Sequence, residues 1–330
     1  MNHHACLRPI DEGSERTAPE AAGAYDAVGE HYLAYADGAE AGLFDFAGSY
    51  AFADREIWAR LDAMLVRLRT NGRHAIRILD AGCGPGTWLL RLVVRARDLG
   101  FTAIDARGFD VSPKMIELAN SRKSMADDPH IGISFDVADI VEALDGEEDG
   151  SYDLTLCLYG VLNHLNPAER ELAAASLSRV TDGDLVVTVR TIGSQPSIYV
   201  AGIGVAKSYH QDNEKDRLDI DLADGRHIGF NSHLFSSGEL KTLFASSFDL
   251  VELAGLDLFH GRFAVDPHWN PAELSGDDFN QGLERLEHLC AHDPVFIDRA
   301  AHALLHARSK ALRLAGADEG ASPGHHYPIT

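Results

Sequence analysis

The chain has 330 residues, 45% of them hydrophobic, enough to bury one large core and carry an appended lobe. Its formal charge of −22 is spread through both halves and leaves no basic face for a phosphate backbone, so nucleic acid is not the expected partner. Four scattered cysteines without a CxxC pair suggest neither a disulfide framework nor a metal site, and with no long apolar run or secretory core the chain reads as a cytoplasmic protein without a membrane segment.

In chain order, residues 1–20 read as a flexible arm, and 21–70 as a helical lid. Tyr25, Val28, Tyr32 and Tyr35 recur at three- and four-residue spacing and line one helical face. A second helix, from about Phe52 to Arg69, carries Ile57, Leu61, Leu65 and Leu68 as its apolar stripe. The period then changes to short buried runs. "AIRILDA" reads as a strand, "TWLLRLVVRARDLG" as a helix stopped by Gly100, and "ARGFDVS" as the end of a second strand. "SPKMIELANSRK" starts a helix with Ser112 as cap and Pro113 at the first helical position. Strands "IGISFDVAD" and "YDLTLCLYG", helix "NPAERELAAASLSRV" and strand "GDLVVTVR" follow, an alternation that predicts a doubly wound parallel sheet over 71–265.

Residues 191–235 interrupt that alternation. Asp224-Gly225 joins two strand-like stretches, and both tolerate positive φ, so a β-hairpin inserted after strand five is expected. Its free edge invites pairing into a homodimer. Ser236 or Ser237 caps another helix, and "FDLVELAGLDLF" returns to the sheet. From Asn280 to Leu314, within 266–315, two amphipathic helices broken at Asp293-Pro294 are expected, followed by a flexible tail at 316–330 whose His pair is solvated.

The stretch "ILDAGCGPGTW" places Gly82, Gly84 and Gly86 at alternate positions after a strand, where doubly wound sheets bind ligands. It lacks the lysine of a triphosphate-binding loop and has Thr87 where a dinucleotide fingerprint has its third glycine. Asp80 beside the loop would repel a pyrophosphate and attract an ammonium or sulfonium.

Taken with "GFDVSPKMIELA", "FDVADI" and "YDLTLCLYGVLNHL", in this order and at this spacing, the loop resembles the class I S-adenosylmethionine-dependent methyltransferases, specifically their small-molecule branch. The resemblance covers about Tyr25 to Arg190. It implies a Rossmann-like, seven-stranded, mostly parallel α/β sheet with the helical lid, the hairpin insertion and the C-terminal helical extension, and S-adenosylmethionine as cofactor.

By the same resemblance, Asp80 and the backbone of Ala81, Gly82, Gly84 and Gly86 hold the methionine part. Asp110 takes the ribose hydroxyls, Val111 and Met115 lie against adenine, Asp139 accepts from the adenine amino group, and Ile140 covers the ring. Leu158 and Tyr159 close the pocket beneath the methyl, Tyr25 and Tyr32 pack on the sulfonium end, and Arg55 pairs with the cofactor carboxylate.

Methyl transfer needs no protein nucleophile, only a base where the accepting atom keeps its proton. His164, after strand four, is the best-placed base, and His233 and His260 are runners-up. The expected reaction is methylation of N or O of a small metabolite. A cofactor-binding module without turnover and an NAD-dependent oxidoreductase are the alternatives.

Overall fold

The structure, a computed structural model, describes residues 16–38, 41–263, 268 and 277–310. The expected tail with its His pair, and most of the expected arm, lie outside the described residues. Residues 16–20 of that arm are held in place. Arg16 donates to Asp139 at 2.5 Å and Glu142 at 2.7 Å, the Thr17 hydroxyl donates to Glu169 at 2.6 Å, and a helix begins at Ala18 with Pro19 in its first turn.

Helix α1 (Ala18–Asp37) buries Ala21, Ala24, Val28 and Tyr35 and kinks at Gly29, whose φ of 48° and ψ of −124° leave the helical region. Helix α2 (Ala51–Thr70) buries Ile57, Leu61 and Leu65, the stripe its spacing predicts. Strands and helices then alternate as β1 (Ala75–Ala81), α3 (Thr87–Asp98), β2 (Ala103–Asp110), α4 (Pro113–Ser121), β3 (Ile131–Val137), β4 (Tyr152–Cys157), α5 (Pro167–Val180) and β5 (Thr181–Arg190). Ser112 accepts from the Met115 N–H to cap α4, and Asn166 with Glu169 forms a complete capping box on α5.

The main sheet has seven strands in the order β3-β2-β1-β4-β5-β10-β9. Strands β1 to β5 run parallel, and β10 (His302–Ser309) is antiparallel to both β5 and β9 (Phe248–Leu256). Both faces are covered. Along β1, Ile76 and Ile78 join one core with α2 and α3, while Leu79 and Ala81 join the other with α5 and α7 (Ser237–Phe244). The strand order reverses between β1 and β4, which opens a crevice at their carboxyl ends.

Two expectations change. The inserted hairpin is a three-stranded antiparallel sheet, β6 (Ala206–Asp212), β7 (Arg217–Leu222) and β8 (His227–Asn231), reached through α6 (Pro196–Ile203). Its first strand is polar and largely exposed, so no apolar alternation marks it. In the C-terminal piece, α9 (Asp277–Cys290) is a helix as expected, but the second helix is not there. Pro294–Ile297 makes one short turn, α10, and "HALLHARS" forms β10. That segment is buried on both sides inside the sheet, and a short apolar run of this kind has no period that separates strand from helix. The turn α8 (His260–Phe263) and two 3-10 turns, Lys123–Ala126 and Val161–His164, complete the described elements. No helix among the described residues is long and apolar enough to cross a membrane.

Candidate active site

The glycine loop hangs on strand β2. The N–H groups of Gly82 and Cys83 both donate to the Phe109 carbonyl at 2.8 Å. Gly82 has φ 74°, and a Cβ there would lie 2.2 Å from a Val161 methyl. Gly86 has φ 77° and would put a Cβ 2.8 Å from the Phe135 ring, so both positions need glycine for shape. At Gly84 a Cβ would meet open space, and this residue turns its backbone to the crevice. Its N–H donates to Asp110 Oδ2 at 2.9 Å, while Asp110 Oδ1 accepts from the Ser112 N–H at 2.9 Å. Two backbone donors thus hold the Asp110 carboxylate and leave further lone pairs on each oxygen for a vicinal diol.

A cavity open to solvent fills the crevice. Asp80, Gly82, Gly84, Asp110 and Val111 line it from the first two strands; Asp139, Ile140, Leu158, Tyr159 and His164 line it from the next two, and Tyr25 and Tyr32 from α1. Asp80 is 2% exposed, and its Oδ2 has no hydrogen-bond partner. Burial, and then the neighbouring Asp110 charge, pushes its pKa up to about 7. The carboxyl of Asp110 is also raised by burial, with the Ser112 and Gly84 N–H groups pulling the other way. Asp139 accepts from the Val141 N–H at 3.0 Å through one oxygen and from Arg16 through the other. Arg16 therefore reaches the position expected to receive an adenine amino group.

Other expected residues lie outside the cavity. Ala81 is buried in β1, Met115 is 1% exposed in the core beneath α4, and Gly86 acts through backbone shape alone. Arg55 points to α9 and pairs with Glu284 at 2.6 Å instead of reaching the crevice. His233 bridges Asp216 at 2.7 Å and Glu239 at 2.9 Å, and His260 stacks on Phe52 with centroids 4.9 Å apart. Local carboxylates and ring contacts claim these side chains, and neither histidine lines the cavity.

His164 stands in a wall between this cavity and a second one. Tyr25, Tyr32, Tyr50 and Tyr159 share that wall. The His164 Nδ1–H donates to the Asn231 carbonyl at 3.0 Å, a pairing that fixes the tautomer, so Nε2 accepts from the Tyr25 hydroxyl at 3.0 Å. Burial, helped by the Arg190 charge, lowers the His164 pKa to about 3. The imidazole is neutral with its lone pair engaged, which makes it a weak base and a firm wall.

Tyr159 takes a left-handed φ of 54°, a conformation that stores about 1–3 kcal/mol in a non-glycine residue. The Thr188 hydroxyl accepts from its N–H at 2.6 Å, its ring stacks on Tyr50 at 5.1 Å, and its hydroxyl donates to Asp54. Burial first, opposed by Arg91, pushes the Asp54 carboxyl up to about 6. Tyr50 and Asp54 sit in "SYAFAD" near the start of α2, where they resemble ordinary helix-face residues. His302 and Arg190 line the second cavity, and no motif in the sequence marks either, His302 because its segment has no strand-specific pattern.

An open α/β sheet whose switch point holds a glycine loop ringed by carboxylates has the ligand site of doubly wound α/β proteins, with an acidic lining. Residues 78–183 match a family model described as "Methyltransferase domain". The match spans about a third of the chain, and this segment, which carries the glycine loop and strand β4, is a methyltransferase domain. A comparison with curated proteins finds no match.

Among solved structures, the chain is similar to the magnesium protoporphyrin IX methyltransferase of Synechocystis with bound S-adenosylmethionine. The two share 12% identity over 91% of this chain and 100% of that one, with a TM-score of 0.49. It is similar to an S-adenosylmethionine-dependent methyltransferase of Methanosarcina mazei at 14% identity, covering 74% and 96%, with a TM-score of 0.45. A TehB-like methyltransferase of Corynebacterium glutamicum aligns at 18% identity, covering 79% and 98%, with a TM-score of 0.38.

Proposed function

We propose that the first cavity holds S-adenosylmethionine, that the second holds a small-molecule acceptor, and that the methyl passes to N or O of that acceptor across the aromatic wall. The buried Asp80 oxygen without a partner carries this reading, because an ammonium placed there would satisfy it and relieve its raised pKa. Asp110 suits the ribose diol, and Val111, Ile140 and Leu158 supply apolar surface for the adenine and the methyl. Asp139 suits the adenine amino group once Arg16 shares or releases it.

Bound there, S-adenosylmethionine supplies an electrophilic methyl on a sulfonium. The chain's own residues position and desolvate. Tyr50 and His164 are buried and Tyr159 is half-buried; together they fix the passage between the cavities, and orientation of this kind can supply about 7–11 kcal/mol of the barrier. With His164 neutral and engaged by Tyr25, the acceptor reacts through a lone pair it already carries.

Calorimetric titration with S-adenosylmethionine and with NAD, followed by mass spectrometry of small molecules retained through purification, tests this reading. S-adenosylmethionine binds and a retained metabolite gains a methyl group. Binding of NAD alone would overturn the proposal.

A further inference from the structure

The second cavity has an apolar body and one polar end. Ile220, Leu222, Ile228 and Phe230 of the inserted sheet and Ile203 of α6 form the body. At the polar end stand Arg190 and His302, which are directly opposite partners in the antiparallel β5–β10 pair and so project from the same face. The Arg190 backbone is pinned. Its N–H donates to Asn163 Oδ1 at 3.0 Å, and its carbonyl accepts from Asn163 Nδ2 at 2.9 Å. His302 is 3% exposed, lines the cavity, and its Nδ1 has no hydrogen-bond partner.

The acceptor's reacting group must meet a fixed cation and an unsatisfied imidazole nitrogen at the end of an apolar cavity. An amine has one lone pair, the one the methyl must reach, and its charged form is repelled by Arg190. A phenol is protonated at neutral pH and needs a base, and the hydrogen bonds that hold its single oxygen draw charge from the atom that must attack. A carboxylate has two oxygens: one can accept from Arg190 and His302 while the other faces the methyl. It is also ionised at neutral pH and needs no base. The site offers little base: burial first, and Arg190 second, push both His164 and His302 down to about 3.

Resting on the acceptor-site reading above, we propose that the second cavity takes an apolar molecule ending in a carboxylate, held by Arg190 and His302, and that the product is its methyl ester. A lone pair of the free carboxylate oxygen forms the new O–CH3 bond. The C–S bond breaks with its electron pair going to sulfur, and the carboxylate and sulfonium charges cancel. No proton moves.

The test uses the full chain saturated with S-adenosylhomocysteine, with saturation established by its own titration, and three probes of similar body: phenylbutanoate, butylphenol and phenylbutylamine. Phenylbutanoate binds at least about tenfold more tightly than the other two, and its methyl ester forms when S-adenosylmethionine replaces the product cofactor. Arg190→Gln weakens phenylbutanoate at least about tenfold and leaves the cofactor titration unchanged, while Arg190→Lys retains part of the preference. Equal or tighter binding of the phenol or the amine by the unaltered protein overturns the proposal without depending on any variant. So does the failure of all three probes to bind a cofactor-saturated protein. If the cofactor itself does not titrate, the underlying reading fails instead.

Discussion

The two cavities share a wall and are built in opposite ways. The first is made by loops after parallel strands and is ringed with carboxylates, Asp37, Asp54, Asp80, Asp110 and Asp139. The second is made by an inserted sheet and the antiparallel β10, and its charged end is an arginine. Acids on one side and an arginine on the other lay out a charge gradient across the aromatic wall. In the proposed reading, the methyltransferase domain takes the cofactor and the segments outside it take the acceptor.

If that division is right, damage to the acid ring changes cofactor affinity and leaves the second cavity intact. The largest effect is expected at Asp80. Asp80→Asn leaves a buried ammonium without its counter-charge, worth about 3–5 kcal/mol, so S-adenosylmethionine binding should weaken by about a hundredfold or more in calorimetry. Asp110→Ala should follow with about 1.5–3 kcal/mol for each charge-assisted bond to the ribose, and an unchanged dissociation constant would remove Asp110 from the site.

The next effect is one of pH. The Asp80 pKa in the free protein is raised to about 7, and a neighbouring ammonium lowers it, so binding releases a proton below that value. Affinity should fall by up to about tenfold per pH unit below about pH 7. Titration in buffers of different ionisation enthalpy counts the released proton, and a flat profile would break the link to Asp80. The smallest effect is expected at Arg55. Its exposed pair with Glu284 contributes about 0–1 kcal/mol to stability, and Arg55→Ala should bind the cofactor as before.

The first cavity was legible in the sequence because its residues are fixed by local chemistry. Gly82 and Gly86 need positive φ, and Asp80 and Asp110 each end a strand whose apolar run announces it. The second cavity was not, because it is assembled from distant segments with ordinary patterns. Arg190 and His302 meet only through the β5–β10 register, and β10 has no period that marks it as a strand. Arg55, His233 and His260 illustrate the converse. Their residue types suited the chemistry, but Glu284, Asp216 and Phe52 hold them elsewhere.

Strand β10 also bears on how the molecule is put together in time. It is the last strand of the described chain, yet it lies between β5 and β9, so β9 joins the main sheet only through it. While the chain leaves the ribosome, the glycine loop and the parallel strands can already be paired, but β5 keeps an open edge until His302 to Ser309 emerge. The first cavity can therefore form before the second. A chain shortened ahead of His302 would lose the docking of β9 and one side of the acceptor cavity together.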